Sequence, residues 1–162
     1  MKSLTTSIAA ILLISAVSNS QTSRPKPDQV ELMKKFIGTW TCTTGKDTTA
    51  LWEFTPFGTG LECHVSYVTD AKVFGEMKAL YGYDRQYDKY IAPGMVKGKD
   101  MEIFAIWFTG EKSYEIIFFR DISDPDSATV RNLGSFESPD TLLVTTFVNK
   151  KPVRTLSYSR NR

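Results

Sequence analysis

The sequence predicts an all-β protein: an antiparallel up-and-down β-barrel of about ten strands, preceded by one short helix. Three observations carry this. After Gly38 the chain divides into ten strand-like segments of roughly 6 to 12 residues joined by short polar turns, the spacing of a sandwich or barrel. Several of these segments alternate apolar and polar residues, as strands with one buried face do. Helical periodicity occurs once, just before them.

Residues 1–20, MKSLTTSIAAILLISAVSNS, read as a signal peptide. Lys2 supplies the positive start, Ile8 to Val17 the apolar core, and Ser18 and Ser20 the small residues before cleavage at Gln21. Ala16 and Ser18 offer a second site two residues earlier. The apolar run is shorter than the roughly 20 residues of a membrane span, and no later segment approaches that length. No cysteine follows the cleavage position, which argues against a lipid anchor. The expected destination is therefore the periplasm or the medium. Residues 21–28 are expected to form a mobile polar arm, and residues 29–162 a single barrel domain.

In DQVELMKKFIG the apolar residues Val30, Met33, Phe36 and Ile37 fall at helical spacing, with Asp28 as N-cap and Gly38 as stop. The strands follow as TWTCTT, TTALWEFT, GLECHVSYV, VFGEMKALYGYD, DKYIAPGMV, MEIFAIWFT, SYEIIFFRDI, SATVRNLGSF, TLLVTTFV and VRTLSYSR. The fifth is the weakest, because Pro93 and Gly94 interrupt it. An even hairpin loop at PFGT pairs Trp52 with Cys63, Phe54 with Leu61 and Ala50 with Val65. That places these six on one face, with Glu53, Glu62, His64 and Ser66 on the other; a one-residue slip destroys the agreement. Val73, Met77, Ala79, Tyr81 and Tyr83 continue the inner face. An even loop at TGEK sets Trp107 opposite Tyr114 and Ala105 opposite Ile116. IFAIWF and YEIIFF are apolar on both faces, so their outer side also needs a cover, either the helix or a second subunit. A homodimer through the Glu102–Phe108 and Tyr114–Phe119 strands is the corresponding partner expectation.

Twenty Lys and Arg against eighteen Asp and Glu give no electrostatic footprint for nucleic acid. The basic C-terminal KKPVRTLSYSRNR reads as a solvated edge. Cys42 and Cys63 fall on the first and third strands. Strands two apart lie roughly 9.6 Å from each other, beyond the ~7 Å Cα separation a disulfide tolerates. Two buried thiols are expected, with a disulfide as the alternative in an oxidising compartment.

A helix, a Gly-x-Trp (Gly38-Thr39-Trp40) opening the first strand and a ten-strand meander together resemble the calycin superfamily. LYGYDRQYDKY (Leu80 to Tyr90), the two-sided EIFAIWF and the ending Tyr158-Ser159-Arg160 are similar to secreted bacterial lipocalin-like domains of unknown function. The resemblance spans Leu32 to Arg160. It implies that Trp40 closes one end of the barrel beneath an arginine, Arg160 or Arg154, as a cation–π partner. Ten strands point to the fatty-acid-binding or nitrobindin-like branch. The late haem-binding histidine of nitrobindin-like barrels has no counterpart, since His64 is the only histidine, and no cofactor is expected.

Catalytic signatures are missing from the sequence. His64 alternates with Glu62 and Ser66 on what reads as a solvent face, and no cluster has metal-ligand spacing. No Gly-x-Ser-x-Gly occurs, the glycines of PFGTG are turn glycines, and Asp84, Asp88, Asp124 and Asp126 sit in turns. Aromatic content remains. Trp52, Phe54, Tyr67, Met77, Tyr81, Tyr83 and Tyr158 are the expected barrel lining, either a packed core or walls for a small apolar or amphipathic ligand. The alternative is a barrel lyase or isomerase using Tyr81, Tyr83, Arg120 and Glu62.

Overall fold

Each strand pairs antiparallel with its chain neighbours, and the first closes against the last, in the computed structural model, which describes residues 26–161. The expected signal segment and residues 21–25 of the arm lie outside the described residues. The strands are β1 (Gly38–Thr43), β2 (Thr48–Phe57), β3 (Gly60–Thr69), β4 (Lys72–Asp84), β5 (Lys89–Val96), β6 (Met101–Phe108), β7 (Ser113–Phe118), β8 (Val130–Ser138), β9 (Thr141–Val148) and β10 (Lys151–Asn161). Together they form a closed ten-strand barrel with one short helix. Among the described residues no helix is long and apolar enough to cross a membrane.

The helix, α1 (Gln29–Met33), runs into a 3₁₀ turn over Lys34–Phe36. Asp28 caps it, its carboxylate accepting from Val30 N–H and Glu31 N–H at 3.0 Å each. The preceding Lys26 meets Asp88 at 2.6 Å. The chain turns extended at the cap residue Ile37, and Gly38 follows it directly, as the expected stop and as the first strand residue, at a φ of +118° that disfavours any side chain. The buried face differs from the expected one. Gln29, Met33 and Phe36 are buried and Val30 is only half-buried. Gln29 docks the helix by imitating a strand: its side-chain carbonyl accepts from Phe108 N–H at 2.7 Å, and its amide donates to Phe108 C=O at 3.0 Å.

Two registers correct the sequence reading. The β2–β3 loop is Gly58-Thr59, two residues rather than four, so Trp52 pairs with Val65 and Phe54 with Cys63. This shift by two keeps every side chain on its expected face. Gly58, at φ +58°, supplies the positive dihedral that the first position of a tight hairpin loop requires. At the β6–β7 turn the shift is by one. Phe108 pairs with Tyr114, Trp107 with Glu115 and Ala105 with Ile117. Trp107 and Ala105 therefore face outward, and Phe104, Ile106, Phe108, Tyr114 and Ile116 line the interior. Val73 also leaves the inner face. A bulge between Tyr67 and Val68 pairs Val73 with Val68 and turns it to solvent.

Part of the outer face of the two-sided strands is covered from within the chain, and not by the helix. The β7–β8 connection, with 3₁₀ turns at Phe119–Asp121 and Pro125–Ser127, folds back over the outer wall. Its Ala128, Phe119 and Ile122 bury Ala105 and Ile117 beside Ile91 and Trp107. Arg131 ties this connection down, meeting Glu115 at 2.5 Å and Asp126 at 3.1 Å.

Candidate functional site

The barrel interior is packed at one end and hollow beyond it. At the helix end, Phe36 inserts into a ring of aromatic side chains. Its centroid lies 4.9 Å from Tyr114, 5.2 Å from Phe54 and Phe136, and 6.0 Å from Phe108. Trp40, fully buried, packs on Phe136 and donates its indole N–H to Phe36 C=O at 2.8 Å, satisfying a carbonyl at the end of the 3₁₀ turn. Across the Trp40 face lies the Arg160 guanidinium, 4.3 Å from the ring centroid. Arg160 also donates to Lys35 C=O at 2.7 Å, to Pro139 C=O at 3.0 Å and to Ile37 C=O. It therefore joins the helix, β1 and the β8–β9 turn. Of the two arginines the resemblance allowed, Arg160 takes this place and Arg154 stands toward the other end.

Above this floor is a cavity of about 240 Å³. Met33 and Phe36 form its base. Trp52, Phe54, Cys63, Val65, Tyr67, Met77 and Tyr81 line one side, and Phe104, Ile106, Ile116, Val144, Leu156 and Tyr158 the other. Polar groups enter near the mouth as Asn132, Thr146 and Arg154. Six of the seven expected lining residues reach this wall: Trp52, Phe54, Tyr67, Met77, Tyr81 and Tyr158. Tyr83 does not. It packs on Tyr90 at the helix end and donates its hydroxyl to Asp88. Strand alternation could not separate it from Tyr81, because position along the strand, not face, decides which end of the barrel a side chain reaches.

The wall is weakly ionisable by design of its burial. Desolvation pushes the Cys63 thiol up to about 12, opposed by the Tyr81 hydroxyl that donates to its sulfur. Burial likewise raises Tyr81 and Tyr158 well above the ordinary phenol range. All three keep their protons at neutral pH and act as hydrogen-bond donors rather than bases or nucleophiles. Trp52, whose ring lies 4.1 Å from that of Tyr158 at a tilt of 36°, has its indole N–H buried without a partner. Both cysteines are free and buried.

The side chains considered for catalysis are not brought together. Glu62 lies on the outer wall against Lys78 at 3.7 Å, and Arg120 rests on Phe118 beside Glu102. His64 is also outside, between Glu53 at 3.5 Å and Glu76 at 3.6 Å on neighbouring strands. Among the described residues no three His, Cys, Asp or Glu side chains converge as metal ligands.

Size decides what the cavity can hold. Drug-sized ligands occupy pockets of roughly 300–1,000 Å³, whereas a cavity of about 150 Å³ takes benzene. Scaling between them gives this cavity room for about ten heavy atoms. A long-chain lipid does not fit inside it. Neither a protein-family model nor a curated protein matches this chain, so its function is argued from the barrel, its floor and its cavity.

Proposed function

We propose that this is an exported calycin-type barrel protein that binds one small apolar or amphipathic molecule inside the barrel. The single observation that carries the reading is the 240 Å³ cavity, walled by Trp, Tyr, Phe and aliphatic side chains above a packed aromatic floor. The Gly-x-Trp tryptophan beneath a late arginine supports the calycin relation. The charged start, apolar core and small residues of the first twenty positions support export. Burial of the ligand supplies the affinity, at about 25 cal/mol per Å² of apolar surface removed from water. The unpartnered Trp52 N–H is a donor to one ligand oxygen.

Titration with 1-octanol, whose size matches the cavity, tests this by tryptophan fluorescence and by native mass spectrometry. Saturable one-to-one binding is expected, with the fluorescence change lost in Trp52→Phe. Ile116→Phe, which places a ring in the cavity, is expected to fold and to bind at least tenfold more weakly. Absence of saturable binding, or Ile116→Phe binding as tightly as the native protein, overturns the reading.

A further inference from the structure

We propose that a second copy of this chain docks on the outer face of β4–β6, over the groove between β4 and β5, to form a two-fold dimer. The face is apolar where the outer wall of an antiparallel barrel is ordinarily polar. Phe57, Leu80, Met95, Met101 and Ile103 are 62, 46, 62, 57 and 37% exposed. Strand pairing makes them neighbours: Leu80 sits opposite Glu62, Pro93 opposite Ile103 and Met95 opposite Met101. The β7–β8 connection covers the outer face farther along β6, at Ala105, and leaves Met101 and Ile103 bare.

An interruption in the sheet shapes the groove. Register pairs between β4 and β5 stop at Ala79 and Gly94 and resume at Gly82 and Ile91. Pro93, in that gap, has no N–H to give to the ladder. The opening is a groove of about 420 Å³, with Ala79, Leu80, Pro93 and Gly94 along it and Phe57 and Met95 beside it. A cavity of about 150 Å³ takes benzene, so the groove has room for the partner's Phe57. A two-fold axis repeats that insertion in the other direction.

Area and charge select a second copy as the occupant. At roughly 200 Å² for a large side chain, the five residues expose about 500 Å², toward the upper end for the largest apolar patch of a monomer. Two such faces together remove about 1,000 Å² of apolar surface from water, the area at which a specific interface begins. The rim is of mixed sign, with Lys78 meeting Glu62 at 3.7 Å. A two-fold axis brings each Lys78 toward the partner's Glu62. A partner of one charge sign, such as an anionic lipid surface, meets attraction and repulsion there in equal measure.

Sedimentation equilibrium of the purified chain, at concentrations up to about 100 μM, tests this. The expected result is a monomer–dimer equilibrium with a Kd of about 10 μM or tighter. Phe57→Ser and Leu80→Lys should each raise that Kd by about tenfold or more. Val153→Ser, similarly exposed but on β10 across the barrel, should leave it unchanged. Met95→Lys probes the same groove if Leu80→Lys fails to fold. A chain that stays monomeric at about 100 μM overturns the proposal, whether the face then takes up a lipid vesicle, an unrelated protein or neither. A dimer unchanged by Phe57→Ser and Leu80→Lys also overturns it, because the interface then lies elsewhere. Neither outcome bears on the ligand of the cavity, since the groove lies outside the barrel wall.

Discussion

Replacing Arg160 should unlock the barrel floor, and the structure sets the size of the effect. Its guanidinium donates to three main-chain carbonyls, those of Lys35, Ile37 and Pro139, and covers Trp40 at 4.3 Å. Hydrogen bonds from a charged donor contribute about 1.5–3 kcal/mol each, and an exposed cation–π contact about 0.5–1 kcal/mol. The side chain is 23% exposed, so water replaces part of what is lost. The low ends of these ranges together give about 5 kcal/mol, and replacement by water lowers the expected cost of Arg160→Ala to about 3 kcal/mol, or a fall of about 10 °C in Tm. Lysine has no planar fork and cannot span three carbonyls, so Arg160→Lys should recover less than half of the loss. Urea unfolding at constant m-value measures the cost, and the emission of Trp40 should shift red as water reaches the floor. A loss below about 1 kcal/mol, or full rescue by lysine, would refute the idea that Arg160 fastens the helix to the barrel. Arg154→Met, at the exposed mouth, is the internal comparison and should cost less than about 1 kcal/mol.

Three further predictions concern the barrel interior. Tyr114 O–H is buried without a hydrogen-bond partner, so Tyr114→Phe should stabilise the protein by about 1 kcal/mol; a comparable loss in thermal unfolding would show that the hydroxyl is satisfied. At Gly134 a Cβ would stand 2.0 Å from the Tyr114 ring, so Gly134→Ala must displace that ring and should destabilise by several kcal/mol on the same assay. Burial raises Cys63 to about 12 and moves Tyr81, Tyr114 and Tyr158 upward. The unfolded chain releases these protons from about pH 9 upward, whereas the folded chain holds them. Stability is therefore complete below about pH 9 and falls as the pH rises toward about 12, by roughly 1.4 kcal/mol per pH unit for each group. Equal urea midpoints at about pH 7 and about pH 11 would contradict this.

The sequence by itself determined the barrel, the strand count and most of the inward faces. A face follows from alternation alone, which survives an error of two residues in register. The Trp52 hairpin shows this: its loop is two residues shorter than expected, and every side chain still points as predicted. One-residue errors are not forgiven. The β6–β7 turn reverses Trp107 and Ala105 because parity at a turn depends on loop geometry, which apolar residues on both faces leave unmarked. The tertiary structure alone decided three things. It covered the outer wall with the β7–β8 connection, since an irregular connection that folds back can bury surface that no local pattern assigns. It chose Arg160 over Arg154 for the floor, because the two lie at different heights on one strand. It also resolved packed core against pocket: Phe36 fills only the helix end, and the barrel is longer than the side chains of one short helix can fill. Periodicity records which way a side chain points. Where it comes to rest along the axis, and whether anything meets it there, is settled only when the sheet closes.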